Sequence, residues 1–272
     1  MRDLQRLQVL KLDDERLQHT EDDVVVEEPL EIRVNGDSVS VTMRTPGDDF
    51  DLAVGLLWTE GIIGSANEIG TIAYCPDEDQ PELKNVVNVG LVDASRKLES
   101  SRRLWSNSSC GLCGKATLEA IHQVCRPIDS RVTAGYDQLC AMPSLLRQSQ
   151  ANFERTGGIH AVGLFDTRGN VLLVREDIGR HNAVDKVLGA ALRDSRVSRS
   201  ETIMMVSGRL GFEIAQKALV AGIPIVASIS APSSLAVQLA GDFGMTLIGF
   251  LRGPSMNIYT HAERVVRDES GG

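Results

Sequence analysis

The spacing of apolar and polar positions along the chain changes several times, and each change marks an expected element. Residues 24–45, VVVEEPLEIRVNGDSVSVTMRT, alternate on both sides of Asn35-Gly36, which predicts two strands joined by a tight hairpin turn. Thr45-Pro46-Gly47 then turns the chain. Asp48 or Asp49 can cap a helix whose apolar side is Leu52, Val54, Leu56 and Leu57, with Gly61 ending it. KNVVNVGLV reads as a further strand. Residues 1–23 carry no sustained period and are expected to form a flexible N-terminal extension. The run SSRRLWSNSS has the make-up of a mobile connector, and Leu118, Ile121 and Val124 predict a short helix in which Cys125 packs, closed by Pro127.

From about residue 140 strand and helix patterns alternate. LCAMPSLLRQSQANFE reads as a helix, HAVGLFD and VLLVRED as strands around Thr167-Arg168-Gly169-Asn170, and NAVDKVLGAAL as a helix with Val184, Val187, Leu188 and Ala191 on one face. TIMMVSG, FEIAQKALVAG, PIVASIS, SSLAVQLAGDFG and MTLIGFLRG follow as strand, helix, strand, helix and strand. That order implies parallel strands with crossover helices, hence an α/β domain. The expected organisation is an extension (1–23), a smaller strand-rich α+β domain (24–100), a connector with a short helix (101–139) and an α/β domain (140–272).

Composition narrows the functional classes. The chain of 272 residues has 28 Lys and Arg against 37 Asp and Glu, a formal net charge of -9, which argues against nucleic-acid or anionic-membrane binding. A polar N-terminus without an apolar core and the absence of any long apolar run point to a cytoplasmic protein. Five cysteines, an odd and sparse set, argue against a disulfide scaffold.

Two of those cysteines, Cys110 and Cys113, form a C-x-x-C with glycine after each, followed by Lys115 and a helix. A structural zinc site needs a second pair of ligands that Cys125 and Cys140, standing singly, do not supply. A thioredoxin-like dithiol needs a preceding strand where the serine-rich run lies. A nucleophilic thiolate of lowered pKa near a helix start is the third reading, and glycines on either side would let a partner reach its sulfur. All three stay open on spacing alone.

Small-residue turns after the second domain's strands form another constellation. Ser207-Gly208-Arg209 and Ser233-Ser234 each join a strand to a helix, and in a parallel sheet such turns share the carboxyl edge, where helix amides and an arginine favour an anion. Simple helix capping is the plainer alternative, and neither common nucleotide fingerprint is present. His181, preceded by Arg180 at a helix start, and Arg252, just past a strand, belong to the same expected edge. His160 could join them. The His261-Ala262-Glu263 triplet lacks the downstream cysteines of a zinc deaminase site.

SCGLCGKA, TPGDDFDLAVGLLWTEGII, TGGIHAVGLFD, REDIGRHNAVDKVLGAAL, VSGRLGFEIAQKALVAGIP, SISAPSSLAVQLA and FLRGPSMNIYT together resemble the FdhD/NarQ family, over nearly all of residues 24–267. The resemblance implies a cytoplasmic, homodimeric sulfur carrier for formate dehydrogenase, with a three-layer cytidine deaminase-like second domain that lacks zinc and no tightly bound structural metal. It implies that a cysteine desulfurase donates sulfur, that Cys110 carries it as a persulfide with Cys113 as the second motif cysteine, and that the molybdenum cofactor, bis-molybdopterin guanine dinucleotide, receives it. The stretch Phe250, Leu251, Arg252, Gly253, Pro254 and Ser255 is then the cofactor-binding segment. Ser207, Gly208, Arg209, Ser233 and Ser234 would hold phosphates and guanine, with His181 and Arg180 beside them. The alternative from another class is a zinc-stabilised regulatory protein that binds a guanine nucleotide.

Overall fold

The computed structural model describes residues 3–75, 84–95 and 125–267. The N-terminal extension is a correction to the sequence reading. β1 (Leu4–Asp13) and β2 (Arg16–Val25) pair antiparallel over their full length as a two-stranded ribbon. Asp14 and Glu15 make the turn with φ of 43° and 67°, both left-handed, as a two-residue hairpin loop requires. Opposite charges and amides meet across it: Arg6 Nε donates to Asp23 at 3.0 Å and Gln8 Nε2 to Glu21 at 2.9 Å. Its apolar residues fall on both faces, which is why the chain shows no clean alternation.

β3 (Glu28–Val34) and β4 (Asp37–Arg44) meet through Asn35 and Gly36 at φ 52° and 90°, the hairpin expected from that dipeptide. With β5 (Ile69–Tyr74) and β6 (Val86–Leu91) they form a four-stranded sheet in the order β4-β3-β6-β5. α1 (Asp49–Thr59) follows β4. Asp48 stands at its N-cap, yet makes no cap hydrogen bond and instead lies 3.5 Å from Arg175. Asp49 binds the buried Arg44 at 2.9 Å, and Asp51 takes Arg175 and Arg193, so the helix's first-turn acids are spent on arginines outside the helix.

The second half begins with the two-residue β7 (Ala134–Gly135), which pairs with β14 (Val265–Val266). α2 (Tyr136–Gln148) and α3 (Ala151–Thr156) follow; the single helix expected over 139–154 starts earlier and breaks at Ser149-Gln150. Next come β8 (His160–Asp166), β9 (Val171–Asp177), α4 (Arg180–Arg193), β10 (Thr202–Val206), α5 (Phe212–Val220), β11 (Ile225–Ser228), α6 (Ser234–Asp242), β12 (Thr246–Arg252) and β13 (Ser255–Thr260). The sheet order is β13-β12-β11-β10-β8-β9, with β10, β11 and β12 parallel as expected and the other pairings antiparallel.

Alternate residues of these strands serve two cores. Val162, Leu164, Met204, Val206, Val226 and Leu247 meet α4, α5, α6 and α1, whereas Ala161, Phe165, Ile203, Met205, Ile225 and Ile248 meet Leu139, Met142 and Leu146 of α2. Helices therefore cover both faces, and the α/β reading holds as a three-layer arrangement. The first core also includes Leu30, Ile32, Val87 and Val89 of the smaller sheet, so the boundary expected near residue 100 separates two sheets but not two cores.

α1 and α4 seal that shared core. A Cβ on Gly55 would sit 1.8 Å from the Asp185 carbonyl oxygen, and one on Gly189 would sit 2.0 Å from that of Asp51. Backbone touches backbone there because neither helix has a side chain in the way. Beside the crossing, Thr59 Oγ1 donates to the buried Asp185 at 2.8 Å, and the Lys217 ammonium of α5 donates to both Asp185 oxygens at 2.9 Å. On the other side of α4, buried Lys186 bonds Asp177 at 2.8 Å and the Thr45 carbonyl at 2.9 Å. These contacts fix the start of α4, and with it Arg180 and His181.

Candidate functional site

Loops at the carboxyl ends of β10, β11 and β12 are stitched into one surface. The Leu210 amide donates to Ala231 O at 3.1 Å, the Ser233 amide to Leu210 O at 3.0 Å, and the Phe250 amide to Ser230 O at 3.1 Å. Buried Ser228 ties the first two loops by donating its hydroxyl to Gly208 O at 2.6 Å while accepting from the Ser230 amide. Arg252 Nε donates to Ile229 O at 3.2 Å, leaving its two terminal nitrogens unengaged by any described residue. A Cβ on Gly249 would meet Pro232 Cδ at 2.8 Å, so glycine is what lets β12 run this close under the 230–232 loop.

Phe250 is held in the left-handed region at φ 53°, and the β12–β13 register shifts across Gly249 to Arg252. Such a conformation costs a non-glycine residue on the order of 1–3 kcal/mol and is found most often where a side chain has been re-aimed for function. The bulge leaves Phe250 and Arg252 exposed and turns Leu251 fully into the core. Of the six residues 250–255, Leu251 therefore cannot touch a ligand without unfolding the strand. Gly253, at φ 53°, and Pro254 close the turn, and Pro254 O accepts from the Tyr136 hydroxyl at 2.5 Å; Ser255 is exposed.

The predicted serines divide. Ser233 Oγ caps α6 by accepting from the Ala236 amide at 3.2 Å, and Ser234 stands exposed in the helix's first turn. Ser207 Oγ accepts from the Ala161 amide at 2.9 Å, which ties β8 to the β10 loop. Gly208 lies against His160: a Cβ there would sit 3.1 Å from Nδ1. Arg209 is exposed, Arg180 is half-buried, and neither these two nor Arg252 has a carboxylate partner among the described residues. Three cations at the carboxyl ends of β9, β10 and β12 thus stand without a described carboxylate.

Two histidines lie among them. His181 Nε2 is 3.0 Å from Glu213 Oε2 of α5. Burial pushes its pKa down to about 4, aided by Arg180, Lys217 and His160, and outweighs the carboxylate. The ring is neutral at pH 7, donating through Nε2 to Glu213 and leaving Nδ1 an acceptor. Burial, with Arg180 and then Arg209 nearby, also lowers the pKa of His160. Glu213 and Ser228 were not found from the sequence: each acts through a partner in another strand–helix unit, and no local spacing announces that.

Cys110 and Cys113, the serine-rich connector and the short helix before Cys125 lie outside the described residues. Cys125 is buried as expected, its thiol pushed up to about 11 by desolvation. No helix among the described residues is long and apolar enough to cross a membrane. Two clefts lie away from the cationic edge. One, of about 430 Å³, is lined by Asp48, Arg175 and Lys186, whose cations are already paired. The other, of about 500 Å³, lies at the amino ends of the strands, where Arg199 sits 4.8 Å over the Trp58 ring.

Fold and site together define a three-layer α/β protein with arginines lacking described carboxylate partners at the carboxyl ends of its strands, joined to a smaller sheet through a shared core. The chain belongs to the FdhD/NarQ family, whose pattern matches residues 25–266. It is 52% identical over 248 residues to the sulfur carrier protein FdhD of Mycolicibacterium paratuberculosis, covering 89% of this chain and 91% of that one. It is 48% identical over 270 residues to the protein of the same name from Streptomyces avermitilis, covering 96% and 95%. A crystal structure from Desulfotalea psychrophila, described as a formate dehydrogenase accessory protein, superposes with a TM-score of 0.79 at 26% identity, covering 97% of this chain and 99% of that one.

Proposed function

We propose that this chain is a sulfur carrier serving formate dehydrogenase. The names of its relatives support the role, and the observation that carries the ligand half is the set of Arg180, Arg209 and Arg252 at the carboxyl ends of the strands without carboxylate partners among the described residues. In a chain of net charge -9, such a local site is what an anionic cofactor needs in order to bind. The cargo fits: a molybdenum cofactor of the bis-molybdopterin guanine dinucleotide type brings pyrophosphates for Arg209, Arg252 and the α6 N-terminus, and a flat guanine for the exposed Phe250.

The sulfur enters at Cys110. Its thiolate attacks the terminal sulfur of a cysteine desulfurase persulfide, the donor S–S bond breaks, and the donor cysteine leaves as thiolate; Cys110 then holds the persulfide. Cys113 assists by exchange or shields the loaded sulfur. A cofactor held by Arg209 and Arg252 would accept the terminal sulfur before formate dehydrogenase takes it up: the Cys110 Sγ–S bond would break with Cys110 leaving as thiolate, and the cofactor would supply the electron pair for the new bond to sulfur. The same reading includes a cytoplasmic homodimer, a cytidine deaminase-like second domain and no structural metal. Incubation with desulfurase and cysteine, read by intact mass, should add one sulfur to the wild type and none to Cys110→Ala; undiminished loading of that variant would sink the assignment.

A further inference from the structure

Where the loops after β9 and β10 meet, a hydrogen-bond acceptor lies among donors. β8 enters the sheet between β9 and β10, with His160 opposite Asp177 and the Ala161 amide bonded to Ser207 Oγ at 2.9 Å. On one side of it Arg180 and His181 open α4; on the other, Arg209 precedes α5 and Glu213 stands in that helix's first turn. The 3.0 Å contact between His181 Nε2 and Glu213 Oε2 joins the two helix starts.

An arginine has five N–H groups and no acceptor, so Arg180 and Arg209 offer a ligand donors alone. His181 differs. A carboxylate oxygen only accepts, so Glu213 requires the hydrogen to sit on Nε2. Burial, with Arg180, Lys217 and His160 around the ring, keeps it neutral at pH 7, and Nδ1 therefore carries a lone pair. Glu213 thus selects the tautomer. No described residue donates to Nδ1, and the side chain is 35% exposed.

A phosphate cannot use that lone pair, since its oxygens accept and are served by the arginines. An N–H on the same ligand can. Guanine and pterin, the two rings of a molybdopterin guanine dinucleotide, both carry the N–H and NH2 groups of a 2-amino-4-oxopyrimidine edge. The start of α4 and Phe250 belong to opposite ends of the row of strands: β9 and β12 lie four intervals apart, about 19 Å at about 4.8 Å each. With guanine on Phe250, the pterin reaches His181; the reverse seating brings guanine there.

The geometry points to His181 Nδ1, held as an acceptor by Glu213, as the group that receives an N–H from the 2-amino-4-oxopyrimidine edge of the cofactor. Glu213 is then a positioning residue, acting through the ring it orients. This rests on the cofactor reading above and adds to it the recognition of a ring, which arginines facing phosphates do not supply.

Nitrogen-15 NMR of the full chain labelled at histidine tests it. Unliganded His181 should show Nε2 protonated and Nδ1 bare. Saturation with 6-hydroxymethylpterin should shift Nδ1 if the pterin is seated there, and saturation with guanosine diphosphate if guanine is; either result supports the proposal and identifies the ring. Purine riboside diphosphate, whose ring edge has no N–H, should not produce that shift. In Glu213→Leu, calorimetry should show the ligand that moved Nδ1 losing at least about tenfold in affinity relative to purine riboside diphosphate, which keeps its phosphate contacts. A wild-type ring protonated at Nδ1, guanosine diphosphate bound with neither ring moving Nδ1, or an unchanged ratio in Glu213→Leu would each overturn the inference and leave the cofactor reading standing. No binding of guanosine diphosphate at all would overturn both.

Discussion

Replacing Gly55 by alanine is the sharpest test of how the two halves are held together. In an exposed helix the change would stabilise by about 1 kcal/mol, because alanine is the better helix former. Here the new Cβ would lie 1.8 Å from Asp185 O, and ordinary contact at 3.4 Å requires α1 and α4 to part by about 1.6 Å. Forced overpacking of that kind costs about 1–3 kcal/mol. The same movement carries Thr59 Oγ1 from 2.8 Å to beyond hydrogen-bonding distance of Asp185, and a hydrogen bond to a charged group is worth about 1.5–3 kcal/mol. Subtracting the helix-propensity gain leaves a loss of about 1.5–5 kcal/mol, read by urea denaturation followed by circular dichroism. Gly189→Ala, across the same crossing, should cost a similar amount, and the double variant less than the sum, because helices already separated accept the second methyl more easily. A Gly55→Ala protein as stable as wild type would refute the close crossing.

Lys217→Met should destabilise by about 3–5 kcal/mol, since it strands the buried Asp185 carboxylate, while Lys217→Met with Asp185→Leu should recover much of that loss in the same denaturation experiment. Arg209→Gln and Arg252→Gln should each weaken binding of a guanine nucleotide diphosphate by about tenfold in calorimetry with little change in melting temperature, as neither side chain holds a carboxylate among the described residues. The pH dependence of His181 has a definite sign. Its folded pKa, about 4, lies below the ordinary 6.5, so between these values the unfolded chain binds a proton the fold refuses, and stability falls as pH drops through that window. His181→Gln keeps a donor toward Glu213 and should flatten melting temperature against pH between 6.5 and 4; an unchanged slope would remove His181 as its source.

The legibility of this chain follows the range of the interactions involved. The Asn35-Gly36 hairpin and the β10–β12 strand–helix alternation are local codes, written in turn chemistry and in period, and both appear where expected. The β1–β2 ribbon escaped because its turn, Asp14-Glu15, lacks the usual Asn or Gly and its leucines fall on both faces. Asp48 stands where the sequence puts a helix cap, but its side chain makes no cap hydrogen bond. Asp48 was free to cap α1, yet Arg175, from a strand far along the chain, takes its carboxylate.

Arginine shows the same limit at the site. Arg175, Arg193, Arg209 and Arg252 look alike in a sequence, each a cation near the end of an element. The fold separates them by what it supplies: Asp51 takes the first two, at 2.9 Å for Arg175, and no described carboxylate comes to the last two. With 37 acidic residues available against 28 basic ones, a partner for each would have been easy to place. Arg209 and Arg252 have no described carboxylate partner, on segments that a hydrogen-bonded serine and a close-approaching glycine hold in position, and their charge is therefore available to the anionic group proposed above. Position after a strand marks where such a site can be; the missing carboxylate is what supports the proposal that an anion binds there.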